Sequence, residues 1–237
     1  MKYVFKITIT AIIILFAKNI VAAEPNTFYI EAFAGYADSA FGSPDGGTPT
    51  AGANFLGKTF DHDLDSGFVP GVKLGWMQSE KLRFDISYQY HDADFDYQTN
   101  FVGVFCCSPF SADFQSNVIL ANAYFSPKRF GKFNPYVGVG IGAAINKLDS
   151  IREGDPLLAI VQEDKTTELA YRFSLGSDYS ISENWKLNLD LSILNIGDFS
   201  SGNNRTFLNG NTQPVGEYEF EDTWIWSTFF GIRYLFQ

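Results

Sequence analysis

Two histidines, two runs of alternating aspartates and one adjacent cysteine pair are the side chains whose types and spacing invite chemistry in this 237-residue chain. His62 and His91 could act as general bases, and His91-Asp92 is followed by Ser108 and Ser111, hydroxyls that an imidazole could activate. No nucleophile, base and orienting acid fall at a spacing that makes a triad compelling, so no enzymatic activity is expected. Asp61, Asp63 and Asp65, with Asp92, Asp94 and Asp96, supply the hard oxygen ligands that calcium takes. Neither run is an EF-hand: the sixth position is Ser66 or Tyr97 where glycine belongs, and the twelfth is Val72 or Gly103 where glutamate belongs. They stand as weak divalent-cation candidates beside the plainer reading of a solvated acidic edge. Cys106 and Cys107 are adjacent, so a bridge between them would be strained. Free thiols, a vicinal disulfide and an intermolecular bridge all stay open. Zinc-ligand spacing and a phosphate-cradling glycine loop ahead of a helix are both missing, and no cofactor is expected.

The elements that would position these groups read as strands. Residues 1–23 look like a cleaved secretory signal peptide: Lys2 and Lys6 give a basic start, Ile7 to Ala17 an apolar core, and Val21-Ala22-Ala23 a small-residue cleavage site. Lys2, Lys6 and Lys18 would leave with it, taking the formal net charge from −10 to −13. The remainder, 24–237, is expected to be one domain. It has no apolar run long enough for a membrane helix, but a closed sheet satisfies its backbone in lipid with a weaker, alternating signal.

That alternation recurs along the chain. Trp224, Trp226, Thr228, Phe230, Ile232, Tyr234 and Phe236 share one face of the final stretch, with Ser227, Gly231 and Arg233 on the other. Leu82 to Tyr90 sets Leu82, Phe84, Ile86, Tyr88 and Tyr90 against Arg83, Asp85, Ser87 and Gln89. Thr27–Tyr36, Phe68–Trp76, Tyr136–Ala144, Leu169–Tyr179 and Trp185–Ile193 behave alike; in Asn117–Phe125 the pattern is weakest, with Ile119, Ala121 and Phe125 placed outward and Asn122 inward. The fold class expected is therefore all-β: an antiparallel transmembrane β-barrel of eight strands, each near the 9–11 residues that cross a bilayer obliquely. Tyr36, Trp76, Tyr88, Tyr90, Trp185, Trp224, Trp226, Tyr234 and Phe236 are assigned to the membrane interfaces.

The connections sort by length. Met77–Lys81, Ser126–Pro135 and Ser180–Asn184 are short, whereas Ala37–Ser66, His91–Gln115, Lys147–Glu168 and Asp198–Asp222 are long. Alternating long and short connections, with both termini on the short side, fit extracellular loops and periplasmic turns. The long loops hold 20 acids and five bases, a net −15 that argues against nucleic acid as a partner. The proposed lumen carries Glu31, Asp85, Asp178 and Asp190 against Lys73, Arg83, Arg172, Lys186 and Arg233, leaving no charged side chain on the lipid face.

At this point the chain resembles the small OmpA/Opa-type outer-membrane barrels. The resemblance rests on Phe28-Tyr29-Ile30-Glu31-Ala32-Phe33-Ala34-Gly35-Tyr36, on Pro135-Tyr136-Val137-Gly138-Val139-Gly140-Ile141-Gly142, and on Gly231-Ile232-Arg233-Tyr234-Leu235-Phe236. It implies a monomeric eight-stranded barrel in the bacterial outer membrane, surrounded by lipid and lipopolysaccharide, with its last strand recognised by the barrel-assembly machinery. The chain ends in Gln237 where the family ends in an aromatic residue, and no wall-anchoring domain is expected. The functional expectation is a plugged, ion-paired lumen and a structural or surface-interaction role, adhesin- or antigen-like, with an extracellular protein as the partner of the long loops. A narrow porin favoured by the glycine-lined fifth strand is the alternative. A lipid A-modifying enzyme built on His62 or His91 is the remote one; both histidines read more simply as solvated rim residues. Phe101–Phe105 and Leu157–Val161 are apolar runs inside otherwise polar loops, read as strand extensions above the membrane or as contact patches.

Overall fold

The computed structural model describes residues 26–41, 59–64, 67–99, 108–220 and 222–236. The expected leader, Asp65, the cysteine pair and the Phe101–Phe105 run lie outside the described residues. Eight long strands form the barrel: β1 (Thr27–Phe41), β2 (Gly67–Met77), β3 (Leu82–Thr99), β4 (Ser108–Phe125), β5 (Phe133–Leu148), β6 (Asp164–Ser180), β7 (Trp185–Asn195) and β8 (Trp224–Phe236). Each pairs antiparallel with its neighbours in the chain, and β8 pairs with β1 to close the sheet. Along the closing seam Phe28 faces Phe236, Glu31 faces Arg233, and Tyr36 faces Thr228.

Alternation decides which way each side chain points. In β5, Val137, Val139 and Ile141 are exposed on the outer wall, while Tyr136, Gly138, Gly140, Ala144 and Asn146 are buried inside. In β4, Ile119, Ala121 and Phe125 face out and Asn122 faces in, as expected. A branched or aromatic outer wall packs against lipid tails without strain, and the backbone donors and acceptors are consumed by the ladder.

The strands run further than the oily pattern reaches. β3 and β4 stay paired beyond the proposed membrane zone, through Asp92 opposite Gln115 up to Thr99 opposite Ser108, so much of the connection expected as a loop is a two-stranded ribbon. The outward residues there include Asp92, Asp94 and, opposite the latter, Asp113, all exposed. Above the interface the outer face meets water, which removes the demand for oil but not the ladder, and hydropathy alone therefore ends the strand too early.

The last two long connections fold over the mouth. Ile151–Glu153 pairs with β4, then with Ala159–Val161, which pairs with Asn204–Phe207 and, beyond it, Thr212–Pro214. A separate ribbon joins Phe199–Ser200 to Glu219–Phe220. Phe110, Phe114, Leu148, Ile151, Val161, Ile196, Phe199, Tyr218, Phe220 and Ile225 pack beneath this cap in one buried apolar cluster.

Val139 lies mid-strand on the outer wall and is exposed. Val139→Arg should cost about 2–4 kcal/mol in reversible unfolding from lipid vesicles. Asp92→Arg, on the solvent side of the interface, should change stability by far less.

Candidate functional site: a sealed lumen beneath a folded cap

The lumen gathers buried charges of both signs. Register creates the central row. Lys73 lies opposite Glu31, Glu31 opposite Arg233, and Arg233 opposite Lys186, so four consecutive strands present two acid–base contacts and one pair of like charges. Lys73 Nζ donates to Glu31 Oε1 at 2.7 Å, and Arg233 Nε donates to Glu31 Oε2 at 2.7 Å. Arg233 Nη1 also donates to Asp178 Oδ2 at 2.8 Å, an oxygen that accepts from Arg83 Nη1 at 2.6 Å. Arg172 pairs with Asp190, whose other oxygen accepts from the Tyr136 hydroxyl at 2.7 Å.

Asp85 is held differently. It accepts from the Tyr29 hydroxyl at 2.6 Å and from Asn122 Nδ2 at 2.7 Å, with no ion-pair partner among the described residues. Arg83 packs against two rings: its guanidinium carbon lies 4.1 Å from the Tyr124 centroid and 4.2 Å from that of Tyr136. Those two rings meet edge to face at 5.4 Å. Cation–π contact of a desolvated guanidinium is worth roughly 2 kcal/mol, which helps offset burial of the charge. Lys186 is the exception in the row: it is buried, its Nζ has no hydrogen-bond partner, and a cation stands opposite it.

The glycines of β5 serve this packing. A Cβ at Gly140 would stand 2.2 Å from the Asn122 side-chain oxygen, and one at Gly138 would stand 2.5 Å from the Tyr124 ring. The stripe that suggested a pore is covered by Asn122 and Tyr124 from β4. Tyr29, Tyr124 and Tyr136 were not singled out from sequence, although each shares the parity of an inward residue: Glu31, Asn122 and Gly138 respectively.

Toward the mouth the lumen turns apolar, through Phe33 and Phe229, Val118 and Leu120, to the cluster under the cap. His91 belongs to this level and corrects the reading of a solvated rim histidine. It is buried, with Nε2 at 2.9 Å from Gln89 Nε2, because odd-numbered residues of β3 continue to face inward. Ser111 lies opposite Asp96 and His62 opposite Tyr97. The aspartate runs also behave less simply than strict alternation suggests. Trp76 pairs with Phe84, and Gly71 with Gln89, but Leu64 pairs with Phe95, one residue out of that register. The slip sets Asp63 opposite Asp96, whereas Asp92 and Asp94 remain on the outer face. Asp61 lies opposite Gln98. Among the described residues no group of three His, Cys, Asp or Glu side chains is placed to hold a metal ion.

The cap is tied down by its own polar triad. Arg205 Nη2 donates to Glu153 Oε1 at 2.7 Å, and the Tyr218 hydroxyl donates to the same oxygen at 2.8 Å. Burial, reinforced by the Glu153 carboxylate, pushes the Tyr218 hydroxyl well above its ordinary pKa, so it stays a neutral donor. Asn146 of β5 donates to the carbonyls of Ile196 and Asp198 at 2.9 and 3.1 Å, joining cap to barrel. Of the interface aromatics, Tyr36, Tyr88, Trp185, Trp226 and Phe236 are exposed on the outer wall, and Trp76, Tyr90, Trp224 and Tyr234 are half-buried there. Trp185, Tyr234 and Phe236 form a continuous ring contact at the short-turn end, and Tyr171 meets Trp224 at the other.

A closed, oil-coated barrel with a charged interior is the architecture of an outer-membrane protein, and comparison with known proteins gives the family. Residues 7–220 match the outer membrane protein beta-barrel domain, and the chain belongs to that family of bacterial outer-membrane barrels. It is similar to an uncharacterized protein of Brucella abortus, 27% identical over 185 residues covering 68% of this chain and 62% of the relative. The chain thus spans less than two thirds of that relative's length. A candidate adhesin of Rickettsia bellii is 32% identical over 112 residues, 45% of this chain and 49% of that protein. Among solved structures, the outer membrane protein OprG of Pseudomonas aeruginosa superposes with a TM-score of 0.58 at 16% identity, covering 91% of this chain and 99% of that one. At that identity the likeness is one of fold.

Removing one partner of a buried pair leaves the other charge stranded, at roughly 3–5 kcal/mol. Arg172→Leu, which strips Asp190 of its ion-pair partner, should lower the thermal unfolding midpoint in detergent, and Arg83→Leu, which leaves Asp178 with Arg233 alone, should lower it by less. Lys186→Met removes a buried charge that has no hydrogen-bond partner and faces Arg233, and should hold or raise it. Unchanged midpoints for both arginine variants would refute the ion-paired core.

Proposed function

We propose that this protein is a plugged outer-membrane barrel that displays a folded cap for surface interaction, with its long connections outside the cell and its termini and short turns in the periplasm. The observation that carries the reading is the double seal. Mid-lumen space is taken by the ion-paired side chains and the tyrosines packed against them, and the mouth is closed by the apolar cluster under the cap. An eight-stranded barrel is only wide enough for its own side chains, which leaves the exterior as the functional surface.

The outer face of the cap supports the same reading. Leu158, Ile160 and Leu208 are exposed apolar side chains on neighbouring segments of the side sheet, with Ile160 beside Thr206. Such an apolar group, on loops otherwise rich in acids, suits recognition of another protein's surface. Rigid scaffolds commonly place binding residues on such connections. The Rickettsia relative described as a candidate adhesin lends this reading weight, over less than half of the chain. A largely structural role in the outer membrane shares the barrel but makes no use of the cap's apolar face.

Two measurements test the proposal. Planar bilayers carrying the purified protein should show no stepwise single-channel conductance. Cells expressing Leu158→Ser/Ile160→Ser/Leu208→Ser should bind a host-cell or extracellular-matrix surface at least about tenfold less than cells expressing the unaltered protein, at equal surface abundance. Regular conductance steps, or binding untouched by the triple substitution, would overturn it.

A further inference from the structure

The outer wall is not evenly filled at the short-turn end. A cavity of about 550 Å3 opens there on the lipid side, walled by Phe28, Trp76, Phe84 and Phe236 and floored by the sheet at Gly75 and by Ala121. Register explains its place: Phe28 lies between Phe236 and Trp76, and Trp76 lies beside Phe84, so four aromatic residues from β8, β1, β2 and β3 fall in one row. Trp76 and Phe84 stack at 6.2 Å with planes 26° apart, forming one side. Ala121 and its same-face neighbour Ala123 offer only methyls on β4, between Ile119 and Phe125, which carry bulk. The volume falls within the roughly 300–1,000 Å3 of ordinary ligand clefts.

Lipid tails are as apolar as leucine, so an oily groove in a membrane gains little selectivity from burial alone. Selection has to come from the headgroup. The two turns that border the groove carry Lys81, Lys128, Arg129 and Lys132 against the single acid Glu80. They are held together where the Ser126 amide donates to the Lys81 carbonyl at 2.8 Å, and both Lys81 and Lys128 are exposed. The third short turn, on the far side, carries Glu183 as its only charge. Lys132 lies over the Tyr179 ring of β6, away from the groove, so Lys81 and Lys128 are the exposed bases these turns offer it.

We propose that this groove is a binding site for one phospholipid of the periplasmic leaflet with an anionic headgroup, an acyl chain lying over Ala121 and the phosphate held by Lys81 and Lys128. The leaflet rests on the orientation proposed above; the chemistry of the site does not.

The test is native mass spectrometry of the detergent-purified barrel, offered equal amounts of dioleoyl phosphatidylglycerol and dioleoyl phosphatidylcholine. Two exposed lysines near a headgroup should favour phosphatidylglycerol by about tenfold. Lys81→Gln/Lys128→Gln should abolish the preference while leaving lipid of either kind bound. Ala121→Phe, which fills the groove with a side chain lipid tolerates, should lower retention of both lipids. Each variant is first shown to be folded by the different gel mobility of unboiled and boiled protein. Equal retention of the two lipids, or retention unchanged in Ala121→Phe, would overturn the site. Displacement of phosphatidylglycerol by lipopolysaccharide would instead overturn the leaflet, and with it the inward orientation of the turns.

Discussion

Everything in this molecule depends on the closure of β8 upon β1. A strand in lipid has no water to turn to, and each unpaired amide or carbonyl costs several kcal/mol there. Closing the seam from Phe28–Phe236 up to Phe41–Trp224 removes both edges at once. The consequence propagates inward. Once the sheet is closed, alternate side chains have only one interior to share, and with eight strands that interior is narrow. Charge, aromatic bulk and glycine are then distributed by what fits beside what.

The interior solves two problems with the same side chains. Buried charges must find partners, and the lumen must be filled. Arg83 does both, bonding Asp178 while its flat guanidinium packs against two tyrosine rings. Arg233 spans two carboxylates on different strands. Glycine at Gly138 and Gly140 gives the neighbouring strand's large groups room. Higher up, where loops can fold inward, the filling changes to hydrocarbon, and the cap needs only a few directed bonds such as Arg205–Glu153 to stay in place.

Fold was legible in the sequence because the lipid face enforces a period of two with few exceptions. The inward residues could be read from the same parity, and Tyr29, Tyr124 and Tyr136 needed only that rule applied to tyrosine as well as to charge. What could not be read was pairing. That Arg233 stands between Glu31 and Lys186, and that Asp178 gathers two arginines, depends on strand register, which alternation leaves free by any even number of residues. The cap was illegible for a different reason. Its strands are two to four residues long and alternate over too short a span to be seen against the loop composition around them. His91 was misplaced because the apolar pattern of β3 stops at the membrane, although the inward parity continues.

Arg233 also carries a consequence for the order in which the barrel can be completed. Glu31 is in the first strand, Asp178 in the sixth, and Arg233 in the last. Until the end of the chain is in place, Glu31 has only Lys73 and Asp178 only Arg83 to balance them. Arrival of the final strand therefore supplies backbone partners at the seam and the shared cation of the core together. A chain that closed two residues out of register would keep most backbone partners but miss the shared cation, so the lumen acts as a check on the seam.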